Sequence, residues 1–249
     1  MSRTYIVIPV YNEAPTIDLA LDRVERAVGA NRLTAHLILV DDASTDETRA
    51  QLEARRFETE VTILRHEVNR GKGAALRSGI DAVLADPAMT LDDIVLVQDA
   101  DLEYDPADYP ALLAPFQDAT VRVVYGARFG AHRESRRFVE RLHAWGNRCL
   151  TELSNLATGY DLADMECGYK LIRVDALRRV RPQLSEDRFG VEPQLTAALA
   201  RLGERIVEAP IRYTPRSFNE GKKIKWLDGV RAVWVIFREW ARGHEVLSE

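Results

Sequence analysis

In the first hundred or so residues, short β-branched apolar runs alternate with stretches of helical periodicity, and few folds accept that order. Tyr5–Val10, His36–Asp41, Val61–Leu64 and Ile94–Gln98 read as strands, while Thr16–Val28, Asp46–Arg55 and Ala74–Leu84 space their apolar residues as helices do. Alternation of this kind builds βαβ units around a mostly parallel sheet. Right-handed crossovers then gather all the strand ends on one rim. The expectation is an α/β chain, Rossmann-like, with helices on both faces of the sheet. Its 249 residues suit one domain, since such folds often run past the usual ~150 residues. There is no internal repeat, low-complexity tract or linker.

A net charge of −5 argues against a general nucleic-acid binder. Cys149 and Cys167 form neither a disulfide framework nor a zinc pattern, which fits a cytoplasmic protein with reduced thiols. The start runs straight into a strand without a signal-peptide layout, and no apolar run is long enough to span a bilayer. A cytoplasmic chain, soluble or peripheral on the membrane, is expected. His36, His66, His132, His143 and His244 show no metal spacing and read as surface residues.

The chemistry sits where strands end. Ile94–Val97 stops at Asp99-Ala100-Asp101, with Glu103 two residues on. Carboxylates at the carboxyl end of a buried parallel strand occupy the ligand side of such a sheet. A pair at i and i+2 suits a hard dication, Mg²⁺ or Mn²⁺, completed by substrate phosphates. The plainer alternative is that they cap the following turn, where Asp105-Pro106 also favours a turn. The first strand ends in Pro9-Val10-Tyr11-Asn12-Glu13 and the second in Asp41-Asp42-Ala43-Ser44-Thr45. Ser44 or Thr45 is expected to cap the next helix. One of Asp41 and Asp42 is then left to accept a hydrogen bond from a base or a ribose. Asn69-Arg70-Gly71-Lys72-Gly73 precedes a helix but lacks the Walker spacing.

Together these motifs resemble the family 2 glycosyltransferases of GT-A fold, along nearly the whole chain. The resemblance implies a single GT-A domain over residues 1–249 and a nucleotide-sugar donor. It assigns Pro9, Tyr11, Glu13 and Asp42 to the nucleoside, with Lys72, Asp99, Ala100 and Asp101 completing the donor site. It assigns Asp99, Asp101 and Glu103 to the metal, Mg²⁺ or Mn²⁺.

The second half narrows the likeness. Val121–Ala127 reads as a strand ending in Gly126-Ala127-Arg128. An arginine-rich segment follows, with Arg133, Arg136, Arg137, Arg141 and Arg148. Some of these can be the solvated face of a helix around Phe138–Leu153, yet guanidinium forks also suit phosphate. Leu162-Ala163-Asp164-Met165-Glu166-Cys167-Gly168-Tyr169-Lys170, Glu208-Ala209-Pro210-Ile211, Arg216 and Gly221-Lys222-Lys223-Ile224 are similar to the dolichyl-phosphate glucose and mannose synthases. That resemblance implies a polyprenyl-phosphate acceptor held by Arg128, Arg137, Arg216 and Lys222. Three positions depart from it: Glu103, Glu166 and the Lys222-Lys223 pair. A sugar hydroxyl needs a general base, whereas a phosphate monoester is largely ionised near neutral pH, its second pKa being about 6. Asp164 and Glu166 offer a base beside Asp101, while the arginines offer guides for a charged acceptor. An inverting hexosyl transfer to a lipid phosphate is the leading expectation. A soluble hydroxyl acceptor and a non-catalytic nucleotide-sugar binding module are the alternatives, and the oligomeric state is left open.

Trp226–Arg242 has helical amphipathicity, with Trp226, Val230, Val233, Trp234, Phe237 and Trp240 on one face. That face is expected to pack on the domain. An interfacial helix, preceded by Lys222, Lys223 and Lys225, is the alternative.

Overall fold

Ile94–Val97 is buried along its whole length and lies at the centre of a seven-stranded sheet. The computed structural model describes residues 2–128, 138–216 and 226–246. Its strands are β1 (Thr4–Val10), β2 (Ala35–Asp41), β3 (Glu60–Arg65), β4 (Ile94–Val97), β5 (Val123–Ala127), β6 (Lys170–Arg173) and β7 (Ile206–Pro210). The helices are α1 (Ile17–Ala30), α2 (Thr48–Ala54), α3 (Lys72–Ala85), α4 (Tyr109–Leu113), α5 (Phe138–Thr158), α6 (Val174–Val180), α7 (Val191–Arg201) and α8 (Trp226–Val246). The sheet order is β3-β2-β1-β4-β6-β5-β7, and only β6 runs against its neighbours.

The period of two along β1 explains the two layers. Ile6 and Ile8 point into a core shared with Ile17, Leu21 and Val24 of α1. Tyr5 and Val7 point the other way, into a core with Ala75, Leu76 and Ile80 of α3. A strand covered on both faces needs a continuous apolar run rather than an alternating one. Pro9 is tolerated because of register. Val7 O accepts from Gln98 N at 3.0 Å, so the odd-numbered backbone of β1 faces β4. Pairing with β4 stops at Val7↔Val97, and Pro9 falls just beyond it, where no ladder bond is lost.

Several expectations change here. Lys170–Arg173, singled out for its motif, is the strand β6, too short for periodicity to reveal. His36 is buried, with Nε2 2.9 Å from Thr62 Oγ1, and His66 belongs to the site below rather than the surface. Ser44 and Thr45 cap no helix. Ser44 Oγ accepts from Asn12 N at 3.0 Å, and Thr45 N donates to Asn12 Oδ1 at 2.7 Å, which ties the β1 and β2 loops together. Asp46 accepts from Thr48 N at 3.0 Å at the start of α2.

The packing face of α8 also differs from the expected one. Ala232, Val235, Ile236 and Glu239 are buried, with α8 set against α5 and α7. Val230, Trp234, Phe237 and Trp240 are 57%, 48%, 57% and 48% exposed. The small and β-branched residues meet the domain, and the aromatic face meets solvent.

Candidate active site

The rim where the parallel strands end is held first by neutral hydrogen bonds. Gln98 Oε1 accepts from both Tyr109 OH and Tyr169 OH at 2.8 Å, and its Nε2 donates to Asp99 O at 2.8 Å. Gly168 lies so close that a Cβ there would stand 2.4 Å from Asp99 Oδ2. The backbone is also strained at this rim. Asn12, Ala43 and Leu102, in the loops after β1, β2 and β4, have φ of 49°, 61° and 64°. Non-glycine residues in that region persist only where their surroundings over-determine them.

The carboxylates are each met by a cation. Lys72 Nζ lies 2.9 Å from Asp99 Oδ1 and 3.1 Å from Glu192 Oε1. Burial works against its charge, but the two acids outweigh it and hold the ammonium above its ordinary pKa. Arg216 Nη2 donates to Asp101 Oδ2 at 2.8 Å and Nη1 to Glu13 Oε2 at 3.1 Å, and Arg216 N donates to Glu103 Oε1 at 3.1 Å. Tyr213 OH donates to Glu103 Oε2 at 2.9 Å. Burial, followed by the charges of Asp99 and Glu103, pushes Asp101 up to about 7 against the pull of Arg216. Asp101 also accepts from Glu103 N at 3.1 Å, so the turn-capping alternative holds alongside its place at the rim.

Asp42 spends its carboxylate on the chain itself. His66 Nδ1 lies 2.6 Å from its Oδ1, and Arg70 N and Gly71 N donate to its two oxygens at 2.8 and 2.7 Å. Its carboxylate shapes the Asn69–Gly71 loop. Gly71 has φ of 97° and backs onto Asp187 O, where a Cβ would meet the oxygen at 2.4 Å. Asp41, not Asp42, lines a cleft of about 430 Å³ together with Tyr11, Ser44, Arg65, His66 and Asn69.

On the other side of β4, Arg128 and Asp164 pair with each other. Arg128 Nε and Nη2 donate to Asp164 Oδ2 and Oδ1 at 2.5 and 2.6 Å, and both residues are buried. The guanidinium also lies 4.9 Å from the ring centre of Tyr213. Glu166 carries no such partner. Burial, then the charge of Glu192, pushes it up to about 7. Arg137 and Lys222, together with Arg133, Arg136, Lys223, Lys225 and His132, lie outside the described residues.

The structure therefore brings Glu13, Asp99, Asp101, Glu103, Lys72 and Arg216 to one place, with Arg128, Asp164 and Glu166 beside them. Periodicity and motif gave no sign of Asp41's position, of Glu192 on α7, of Tyr213, or of the tyrosines around Gln98. Glu192 follows Phe189-Gly190-Val191, a stretch with no chemistry-bearing spacing. An all-oxygen set of Asp99, Asp101 and Glu103 suits a hard dication. Among the described residues, however, no three His, Cys, Asp or Glu side chains converge as a formed metal site. Arg216 and Lys72 balance the carboxylates instead.

Comparison with known proteins places the chain in a family. The chain is 29% identical over 248 residues to an undecaprenyl-phosphate mannosyltransferase of Micrococcus luteus, covering 96% of each chain. It is 28% identical over 210 residues to a dodecaprenyl-phosphate galacturonate synthase of Rhizobium johnstonii, covering 81% of this chain and 57% of the relative. A crystal structure of glucosyl-3-phosphoglycerate synthase from Mycobacterium tuberculosis, in complex with Mn²⁺, UDP and phosphoglyceric acid, superposes with a TM-score of 0.68 at 21% identity. That match covers 96% of this chain and 78% of the other, and it shows the shared GT-A fold. Residues 5–181 match the model of glycosyl transferase family 2, so the chain belongs to that family and is a glycosyltransferase.

Proposed function

We propose that the protein moves a hexose from a nucleotide sugar to a polyprenyl phosphate, with inversion at the anomeric carbon. The observation that carries this reading is the bidentate Arg128–Asp164 pair. Both oxygens of that aspartate are engaged by the guanidinium, which leaves it poorly placed as the base a hydroxyl acceptor needs. A lipid phosphate arrives as an anion and needs cations, and Arg128 and Arg216 stand at the same rim. End-to-end similarity to the Micrococcus mannosyltransferase supports the same acceptor class.

In this reading the 430 Å³ cleft takes the nucleoside, with Tyr11 and Asp41 facing it and Asp42 shaping its wall. Asp99, Asp101 and Glu103 would hold Mg²⁺ or Mn²⁺, which when bound neutralises the diphosphate leaving group. Arg216 would then give up Asp101 and turn to a phosphate. An acceptor phosphate oxygen forms the new bond to the anomeric carbon from the face opposite the departing nucleoside diphosphate, which leaves with the electrons of the broken bond. Arg216, released from Asp101, would orient that oxygen together with the N–H groups of Arg128 that Asp164 does not engage. Among the described residues no helix is long and apolar enough to cross a membrane. The exposed face of α8, flanked by Arg231 and Arg242, would rest on the bilayer that holds such an acceptor.

One observation favours a second reading. Glu166, which burial and then the charge of Glu192 push up to about 7, is suited to take a proton from a hydroxyl acceptor. The test is transfer of radiolabel from UDP-glucose or GDP-mannose to a short-chain polyprenyl phosphate. Organic-extractable label that is lost in Arg128→Ala and, at saturating donor, retained in Glu166→Gln is expected. No extractable label with any common donor, alongside transfer to a soluble sugar that fails in Glu166→Gln, overturns the lipid-phosphate reading.

A further inference from the structure

Two acids to which the lipid-phosphate reading gives no role sit beside Lys72 and Asp164. Glu192, in the first turn of α7, is 7% exposed. Its Oε1 is held by Lys72 at 3.1 Å, while its Oε2 is shielded from solvent and has no hydrogen-bond partner among the described residues. Glu166 Oε1 is in the same condition. The structure joins the two acids through Lys170, whose ammonium bonds the carbonyls on either side of Glu166 and lies 4.5 Å over the ring of Tyr125, while Tyr125 OH is 3.1 Å from Thr196 Oγ1, which donates to Glu192 O at 3.0 Å. After burial, the charge of Glu192 is the largest influence on Glu166. Lys170, buried below, spends its ammonium on Met165 O and Cys167 O.

A carboxylate oxygen shielded from water needs a donor, and buried oxygens without one are rare. What would supply it follows from the surroundings. Carboxylates only accept, so the ligand must donate. Lys72 and Lys170 stand close by, which disfavours a second metal ion or an ammonium group. Neutral hydroxyls meet both conditions. Position narrows the choice further, because the ammonium of Lys72 touches Asp99 and Glu192 at once. A ligand whose diphosphate lies at Asp99 therefore brings its next group, the sugar, to Glu192.

We propose that Glu192 Oε2 and Glu166 Oε1 form the pocket that accepts hydrogen bonds from the hydroxyls of the donor hexose and so set which sugar is used. This rests on the nucleotide-sugar reading above. A pocket built to bond hydroxyls discriminates strongly against a sugar that lacks one.

The experiment is calorimetry in excess Mn²⁺, titrating UDP, UDP-glucose, GDP and GDP-mannose into wild type, Glu192→Gln and Glu166→Gln. The quantity read is the ratio of nucleotide-sugar Kd to nucleoside-diphosphate Kd. For the preferred donor that ratio is expected to rise about tenfold or more in Glu192→Gln, the loss of one charge-assisted hydrogen bond. The diphosphate Kd stays within about twofold, and Glu166→Gln shifts the ratio in the same direction. Glu166→Gln disturbs no ion pair and keeps the test alive if Glu192→Gln fails to fold. An unchanged ratio in the folded variants overturns the pocket. So does a parallel loss of diphosphate and sugar nucleotide in Glu192→Gln, which would make Glu192 only a prop for Lys72. Failure of wild type to bind any nucleoside diphosphate overturns the donor reading itself, and the pocket with it.

Discussion

Arg216 Nη2 lies 2.8 Å from Asp101 Oδ2, so a cation belonging to the chain sits among the carboxylates expected to bind a metal. The guanidinium reaches Glu13 as well, and its backbone N–H holds Glu103. Metal and arginine compete for the same oxygens. Arg216→Gln is expected to tighten Mn²⁺ binding to the nucleotide-free protein by about tenfold, the equivalent of one charge-assisted contact, while lowering transfer to a phosphate acceptor. Electron paramagnetic resonance of free Mn²⁺ measures the first effect. Equal or weaker Mn²⁺ binding in the variant would show that the guanidinium and the metal do not share those carboxylates.

The Arg128–Asp164 pair leads to a stability prediction. Asp164→Asn leaves a buried guanidinium without its counter-charge, and breaking such a pair from one side costs about 3–5 kcal/mol. Urea denaturation of wild type and variant is the check. A loss below about 1 kcal/mol, typical of an exposed pair, would mean that water reaches the arginine.

Asp41 and Asp42 are adjacent but should fail differently. Asp42→Ala removes the acceptor for Arg70 N, Gly71 N and His66 and should cost about 1–3 kcal/mol of stability. Asp41, also buried, accepts from Ser44 N at 2.9 Å, a bond that an asparagine oxygen can keep, so Asp41→Asn should cost less stability than Asp42→Ala and weaken UDP or GDP binding. Calorimetry and denaturation on the two variants separate the roles. A folded, stable Asp42→Ala with nucleotide affinity lost would return Asp42 to direct contact with the nucleoside.

Glu166 predicts a pH dependence. Burial first, then Glu192, raises its pKa from 4.5 to about 7, so the folded protein holds that proton more tightly than the unfolded chain. The resulting stabilisation is fully present below about pH 4.5 and is lost as pH rises through about 7. The Tm of the nucleotide-free protein should therefore fall between about pH 5 and pH 8 more steeply in wild type than in Glu166→Gln. Parallel profiles would place the Glu166 carboxyl in water.

The aromatic face of α8 can be tested with vesicles. Trp234→Glu combined with Phe237→Glu should abolish flotation with vesicles rich in anionic lipid and leave the unfolding midpoint within about 1 kcal/mol, since both side chains are about half exposed. Wild type that fails to float, or that forms dimers which the double variant loses, would assign the face to a second copy of the chain instead.

Strand ends were legible in the sequence because a buried parallel strand shows itself as an unbroken β-branched run, and chemistry begins where the run stops. Asp99 and Asp101 were found in that way. What escaped was whatever depends on pairing across the sheet. Asp41 and Asp42 look equivalent in the chain, and only the loop at Asn69–Gly71 decides which one faces the cleft. Asp164 read as a free base because its partner Arg128 is 36 residues away. The amphipathicity of α8 is plain in the sequence, but hydrophobicity alone points its larger side chains into the core. The close seat against α5 and α7 belongs to Ala232, Val235 and Ile236, and the bulky rings are left outside.

The reversed direction of β6 has a consequence for how such a chain could be re-engineered. Because β6 opposes β4 and β5, the segment that enters it, Leu162–Tyr169, arrives at the rim that the other strands leave. The loops after β1, β2 and β3 lie on one side of β4, and those at β5, β6 and β7 on the other. The sheet thus has a seam at β4, with the cleft of Tyr11 and Asp41 to one side and the Arg128–Asp164 pair to the other. A chimera joined just after Gln98 would keep the cleft of Tyr11 and Asp41 and exchange the Arg128–Asp164 pair together with the Asp99–Glu103 carboxylates, so the incoming half must bring its own Tyr109 and Tyr169 to hold Gln98.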